Sequence, residues 1–136
     1  MEEQKARSLG LKPGLRFIGS AVSGVHPHYP SAAPVYAVKK LLKERDLSPD
    51  DIDIYEINEA FAVKICVFSQ QLQVQYSKIN VRGGALAVGH PYGASGAALI
   101  TRLFYEAKRR PDARYAAAAI GSGGGVGLAL LFEVLT

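Results

Sequence analysis

Three segments of this sequence combine residue types and spacings that could carry acid–base or oxyanion chemistry. The first is Asn58-Glu59-Ala60-Phe61-Ala62, where a short apolar stretch gives way to a helical period. An asparagine at a helix start can simply cap it; facing a cleft, its amide can instead hold a water or a substrate oxygen. The second runs Gly83-Gly84-Ala85-Leu86-Ala87-Val88-Gly89-His90-Pro91-Tyr92-Gly93-Ala94-Ser95-Gly96, with small residues crowded around one histidine just ahead of a helix. Histidine moves protons near neutral pH, and a helix N-terminus offers free N–H donors to negative charge. Taken alone, His90 also reads as a structural loop histidine. The third is Gly121-Ser122-Gly123-Gly124-Gly125-Val126-Gly127. It does not fit the dinucleotide or phosphate-loop patterns: Val126 and Leu128 stand where glycines are needed, and no Lys-Ser/Thr follows. Its spacing suits either a tight turn with backbone N–H groups aimed into a cleft or a structural hairpin.

Other candidates are weaker. His26 and His28 form a His-x-His pair without a third ligand at recognisable spacing, so no metal site is assigned. Cys66, the single cysteine, excludes an internal disulfide framework and is expected to pack in a helix interior. The net charge of +4 comes partly from Lys39, Lys40, Lys43 and Arg45 in one helix and Lys108, Arg109 and Arg110 closing another. These read as a solvated face and a helix end, without the motif of a nucleic-acid binder.

The elements that position these residues alternate. Residues 15–22 read as a strand, followed by a proline-broken loop and a helix over 33–46 started by Ser31, with Val35, Val38 and Leu42 inward. Ser48-Pro49-Asp50-Asp51 carries a helix-start signal and makes one turn. A strand over 53–57 leads into a helix over 59–72, whose stripe is Phe61, Ile65, Phe68 and Leu72. Residues 85–88 read as a short buried strand. A helix over 93–109 shows Ala97, Ile100, Phe104 and Ala107 on one face, and strands over 115–120 and 126–134 close the chain. The order βαβαβαββ predicts an α/β fold, a five-stranded mixed sheet between layers of helices, as one domain over residues 1–136. With 49% hydrophobic and 21% charged residues the composition is globular. No apolar run approaches the roughly 18 residues of a membrane span, and the N-terminus lacks a signal peptide's pattern. A cytoplasmic location is the expectation.

Together and in this order, Asn-Glu-Ala-Phe-Ala, Gly-Gly-x-x-Ala-x-Gly-His-Pro-x-Gly-Ala-Ser-Gly and the terminal Gly-Gly-Gly-x-Gly resemble the thiolase family. The resemblance runs from about residue 15 to the end and covers the C-terminal half of a family member. It implies acyl transfer between a cysteine and coenzyme A in making or cleaving 3-ketoacyl-CoA, as in fatty acid metabolism. His90 would then be the base that activates a nucleophilic cysteine supplied by an N-terminal half. Asn58 would hold a water that, with His90, stabilises the thioester oxyanion. Phe61, beside Ala60, would lie against the pantetheine arm, and Gly123 would lend its N–H to a second oxyanion hole. Coenzyme A thioesters are the implied substrates, with no bound cofactor, and the intact protein is expected to be a homo-oligomer.

Two departures from the family pattern stand out. Aligning the glycines places Gly121 where the family usually has a second, acid/base cysteine. The loop at 25–34, His28-Tyr29-Pro30-Ser31-Ala32-Ala33-Pro34, replaces the usual Met-Gly-x-Gly-Pro and is expected to alter the wall of the substrate tunnel. Two functions follow as expectations. One is the C-terminal domain of a thiolase-type acyltransferase, inactive in isolation. The other is an acyl-CoA-binding or scaffolding relative that lost Claisen activity with that cysteine.

Overall fold

The computed structural model describes residues 1–135. Helix α1 (Glu3–Ser8) is short and polar, and the sequence reading did not anticipate it. Glu3 accepts from Arg7 at 2.6 Å and from Arg16 at 3.0 Å, so this turn is tied to the first strand by exposed ion pairs. Strand β1 (Leu15–Gly24) leads to a 3-10 turn at Pro30–Ala32 and then to α2 (Ala33–Lys43). Ser31 does not cap α2. Pro34 in its first turn, with φ already helical, marks the start instead.

Ser48 begins a one-turn 3-10 helix over Pro49–Asp51, as its spacing predicts: its backbone N–H and its hydroxyl both donate to Asp51 Oδ2 at 2.7 Å. Strand β2 (Ile54–Ile57), helix α3 (Ala62–Leu72), the single turn α4 (Ala85–Val88), helix α5 (Ser95–Arg109) and strands β3 (Tyr115–Ser122) and β4 (Val126–Val134) complete the chain.

The sheet has four strands in the order β1-β4-β3-β2, with β2 parallel to β3 and the other pairs antiparallel. The mixed α/β architecture follows the sequence reading, but the expected fifth strand does not exist. Residues 85–88 form the turn α4, with Leu86 and Val88 exposed rather than buried. The physical reason lies on both sides of it. Ala-Leu-Ala favours a helical turn, and the Glu59 carboxylate accepts the free N–H of Leu86 at its start.

Strand alternation divides the core in two. Tyr55, Ile57, Ala117, Ala119, Ala129 and Leu131 face α2 and α3. Ile54, Ala116, Ala118 and Phe132 face α5. The alanine run of β3 suits a strand covered on both faces, because small side chains let helices approach closely. Truncating Leu103 of α5, which is fully buried, would cost about 2–5 kcal/mol.

Two helix stripes are offset from the sequence reading. In α2 the expected Val35, Val38 and Leu42 are buried. In α5 the buried face is Ser95, Leu99, Leu103, Glu106 and Ala107; Ile100 and Phe104 are half-buried and Ala97 is exposed. In α3 the buried set is Lys64, Phe68 and Leu72, spaced by four, while Phe61 precedes the helix and is 66% exposed. That rotation also corrects the reading of Cys66, which is exposed rather than packed. Two residues beyond Lys64, it lies about 200° around the helix and points away from the core. Among the described residues no helix is long and apolar enough to cross a membrane.

Candidate active site

Strand β2 aims the site. Asn58 extends its ladder, donating its backbone N–H to Ala119 O at 3.0 Å. Asn80 holds the preceding residue on both sides: its Oδ1 accepts from Ile57 N at 2.7 Å and its Nδ2 donates to Ile57 O at 2.9 Å. Asn80 adopts a left-handed backbone (φ 46°), which asparagine tolerates better than most residues. Its Nδ2 also donates to Glu59 Oε1 at 2.6 Å, and Glu59 Oε2 accepts from Leu86 N at 2.9 Å. The end of β2 and the turn leading to His90 are therefore joined through two side chains. Gly84 is required in this arrangement, since a Cβ there would overlap the Glu59 carboxylate.

This bracing brings two of the sequence candidates together. Asn58, 2% exposed, donates from Nδ2 to His90 Nε2 at 3.2 Å. An amide nitrogen only donates, so with this amide orientation Nε2 carries the lone pair and the ring proton sits on Nδ1. That N–H donates to Ser95 Oγ at 2.6 Å. Ser95 is buried at the first position of α5, so the helix that begins after His90 also fixes its tautomer.

His90 opens onto a cleft of about 760 Å³ that also includes Ala60, Phe61, Tyr92, Gly121, Ser122 and Gly123. Phe61 stands exposed at the start of α3, and the Tyr92 ring lies 5.1 Å from that of His90. The β3–β4 turn contributes Gly123, followed by Gly124 and Gly125 at φ 81° and 86°, a conformation that favours glycine. All the sequence-derived site residues therefore meet here: Asn58 through its bond to His90, and Ala60, Phe61, His90, Gly121 and Gly123 at the cleft itself.

The two departures prove to be neighbours. Gly121 continues the face of Ala117 and Ala119 toward α2, and a Cβ on it would lie 3.0 Å from Pro34 Cγ, 3.1 Å from Pro34 Cδ and 3.3 Å from Pro30 O. The segment from Pro30 to Pro34 thus crowds the direction in which a side chain at 121 would project. His26 and His28 stay apart from the cleft, ring against ring at 4.8 Å, and no third His, Cys, Asp or Glu joins them among the described residues.

Lys64 was not anticipated. It is 4% exposed, lines the same cleft, and donates from Nζ to Gly121 O at 3.2 Å. Burial holds its ammonium below the usual lysine range. The available signal was its spacing, four residues before Phe68 and eight before Leu72, which puts a cation on the apolar stripe of α3.

Known proteins resemble this chain over nearly its whole length. The family described as "Thiolase, C-terminal domain" matches residues 11–134. YhfS of Bacillus subtilis, which carries a provisional acetyl-CoA C-acetyltransferase name, is 77% identical over 135 residues, covering 99% of this chain and 37% of its own length. The crystal structure of the Bacillus anthracis acetyl-CoA acetyltransferase superposes with a TM-score of 0.93 at 39% identity, covering 99% of this chain and 34% of that one. Human mitochondrial 3-ketoacyl-CoA thiolase, solved in complex with CoA, superposes with a TM-score of 0.91 at 36% identity, covering 98% and 34%. The chain spans little more than a third of the length of these relatives. It belongs to the thiolase family, and the part it matches is the C-terminal domain.

Proposed function

We propose that this chain is one domain that supplies the base and oxyanion-binding groups of a thiolase-type acyl transfer, and that the nucleophilic cysteine comes from an N-terminal half. The observation that carries this reading is the 3.2 Å contact of Asn58 with His90 Nε2, at a cleft shared with the glycine turn. With its proton on Nδ1 and donated to Ser95, His90 keeps its basic lone pair on Nε2, which a thiol would take over from the Asn58 amide. A free thiol is only a few per cent thiolate at neutral pH, so this acceptor raises the reactive fraction. The imidazolium and the Asn58 amide, through a water between them and the substrate, then face the oxyanion of the thioester. Gly123 N–H serves a second oxyanion position; donors of this kind are typically worth about 3–4 kcal/mol each in the transition state.

Phe61 and Ala60 lie where an acyl-CoA arm would enter, and the human relative is solved with CoA. Exposed Phe61, Leu86, Val88, Tyr92 and Val126 form apolar surface suited to covering by the N-terminal half. Without that half the chain has no nucleophile, since Cys66 points away from the cleft.

The test is thiolysis of acetoacetyl-CoA and of a longer 3-ketoacyl-CoA by the protein carrying both halves. Turnover that falls about 100-fold or more in His90→Ala supports the reading. Turnover unaffected by His90→Ala defeats it. The chain alone should gain no acetyl group from acetyl-CoA by intact mass, and an adduct on Cys66 would contradict the assignment of the nucleophile.

One observation favours a second reading, an acyl-CoA-binding relative without Claisen activity. Gly121 has no side chain and Pro34 occupies the direction it would take. Tight binding of CoA with no turnover of either substrate would select it.

A further inference from the structure

Position 121 poses a chemical problem that Lys64 answers. In the acyl transfer proposed above, on which this inference rests, the incoming thiol of coenzyme A must lose a proton and the departing enolate must gain one. Gly121 offers no group to do either. Nζ of Lys64 sits 3.2 Å from the carbonyl oxygen of that same residue, and the buried Lys64, like Gly121, lines the cleft that includes His90.

We infer that Lys64 is the acid/base of this site, its amine taking over the proton transfers that a cysteine at 121 would otherwise perform. Toward thiolysis, the neutral Nζ takes the proton of the coenzyme A thiol as sulfur attacks the acyl-cysteine carbonyl. Collapse of the adduct expels the cysteine thiolate and leaves acyl-CoA and a lysine ammonium. In the following cleavage the thiolate attacks the 3-keto carbonyl, and the bond between C2 and C3 breaks. Its electron pair stays on C2, which takes the proton back from the ammonium to give acetyl-CoA. The amine is regenerated and the cycle closes without an outside proton donor.

The surroundings favour a neutral amine. No described carboxylate pairs with Lys64, and burial alone lowers its basicity, toward that of the thiol it must deprotonate. The titratable groups on the same cleft are His90 and Tyr92, which arrive from the α4–α5 connection, while α2 and the Pro30 turn present apolar and backbone atoms. The Glu59 carboxylate is engaged by Asn80 and by Leu86 N–H. A structural anchor for the Gly121 carbonyl would need donors but no titration, and that difference sets the test.

The protein with both halves is acylated with p-nitrophenyl acetate, whose leaving group departs as an anion and needs no proton from Lys64. Transfer of the acetyl group to coenzyme A is then followed in a single turnover across pH. In Lys64→Arg and Lys64→Gln, which keep donors near the Gly121 carbonyl, acylation should persist while transfer falls about 100-fold or more. The wild-type transfer rate should rise with pH to a plateau, and that limb should vanish in both variants. Acylation also reports folding: if one variant fails to acylate, the other carries the test. Normal transfer in either variant overturns the role of Lys64 while leaving the proposed function intact. A wild-type protein that is never acylated overturns the proposed function first, and this inference with it.

Discussion

Pro34 and Gly121 are sterically coupled: a Cβ at 121 would approach the Pro34 ring to 3.0 Å, closer than side chains ordinarily pack. Gly121 is not held in a left-handed conformation, so space rather than backbone geometry restricts it. Introducing Gly121→Cys alone should therefore destabilise the protein by about 1–3 kcal/mol, the usual cost of overpacking. Adding Pro34→Ala should recover much of that loss, with a coupling energy of about 0.5–3 kcal/mol in a double-mutant cycle of urea midpoints. Additive effects would show that the two positions do not share the space. Restoring the cysteine is thus not a clean gain-of-function experiment unless the loop is changed with it.

His90 and Ser95 give the second prediction. Ser95→Ala removes the buried acceptor of the Nδ1 proton and frees the ring to place its proton on Nε2, where it cannot receive one from a thiol. Losing such a bond costs about 1–3 kcal/mol, so acylation should slow about tenfold to a hundredfold while overall stability changes less. Asn58→Ala should cost about 100-fold or more through the oxyanion step. An Ser95→Ala protein acylated as fast as wild type would remove the serine from the reaction.

Much of this candidate site is legible in the sequence alone, and the reasons are local. Asn58, His90 and Gly123 belong to segments whose composition is itself unusual, so no long-range information is needed to notice them. Asn58 and Gly123 converge because β2 and β3 lie side by side, a pairing seen only in the folded chain. The errors in α3 share an origin in phase. The spacing Phe61, Ile65, Phe68, Leu72 looks like a stripe, but α3 starts at Ala62 and buries Lys64 in place of Ile65. A one-residue change of phase hides Lys64 and puts Cys66 on the wrong face. Residues 85–88 fail differently: a four-residue apolar run fits a strand or a turn, and only the Glu59 carboxylate, distant in sequence, decides between them. The meeting of Pro34 with Gly121 was out of reach, because nothing in either segment names the other.

Asn80 carries no chemistry of its own, yet it ties three backbone or side-chain groups around the start of the site. Asn80→Ala leaves the buried N–H and C=O of Ile57 without those partners and places alanine at positive φ. Each orphaned buried group costs about 1–3 kcal/mol, so a loss of about 2–4 kcal/mol is expected in urea unfolding. Because Glu59 and the turn before His90 lose an anchor too, acylation should weaken even at temperatures where the variant stays folded. A stability loss with unaltered acylation would limit Asn80 to the fold.

The burial of Lys64 makes a prediction about stability that is independent of its chemistry. Its ammonium is disfavoured in the folded state, while the unfolded chain titrates near the ordinary value of 10.5. Below the lowered folded pKa both states are protonated, and the cost of burying the charge is fully present. Between that pKa and 10.5 the unfolded chain binds the extra proton, so stability rises with pH across this window. Above it both states are neutral and the cost disappears. Lys64→Met, which cannot titrate, should therefore be more stable than wild type at neutral pH, by roughly 0.5–2 kcal/mol, the range common for single stabilising substitutions. Its advantage should shrink as pH approaches 10.5. Urea midpoints of the two proteins between neutral and alkaline pH measure this directly. A variant less stable than wild type throughout would mean that the bond from Nζ to the Gly121 carbonyl outweighs the cost of burying the charge.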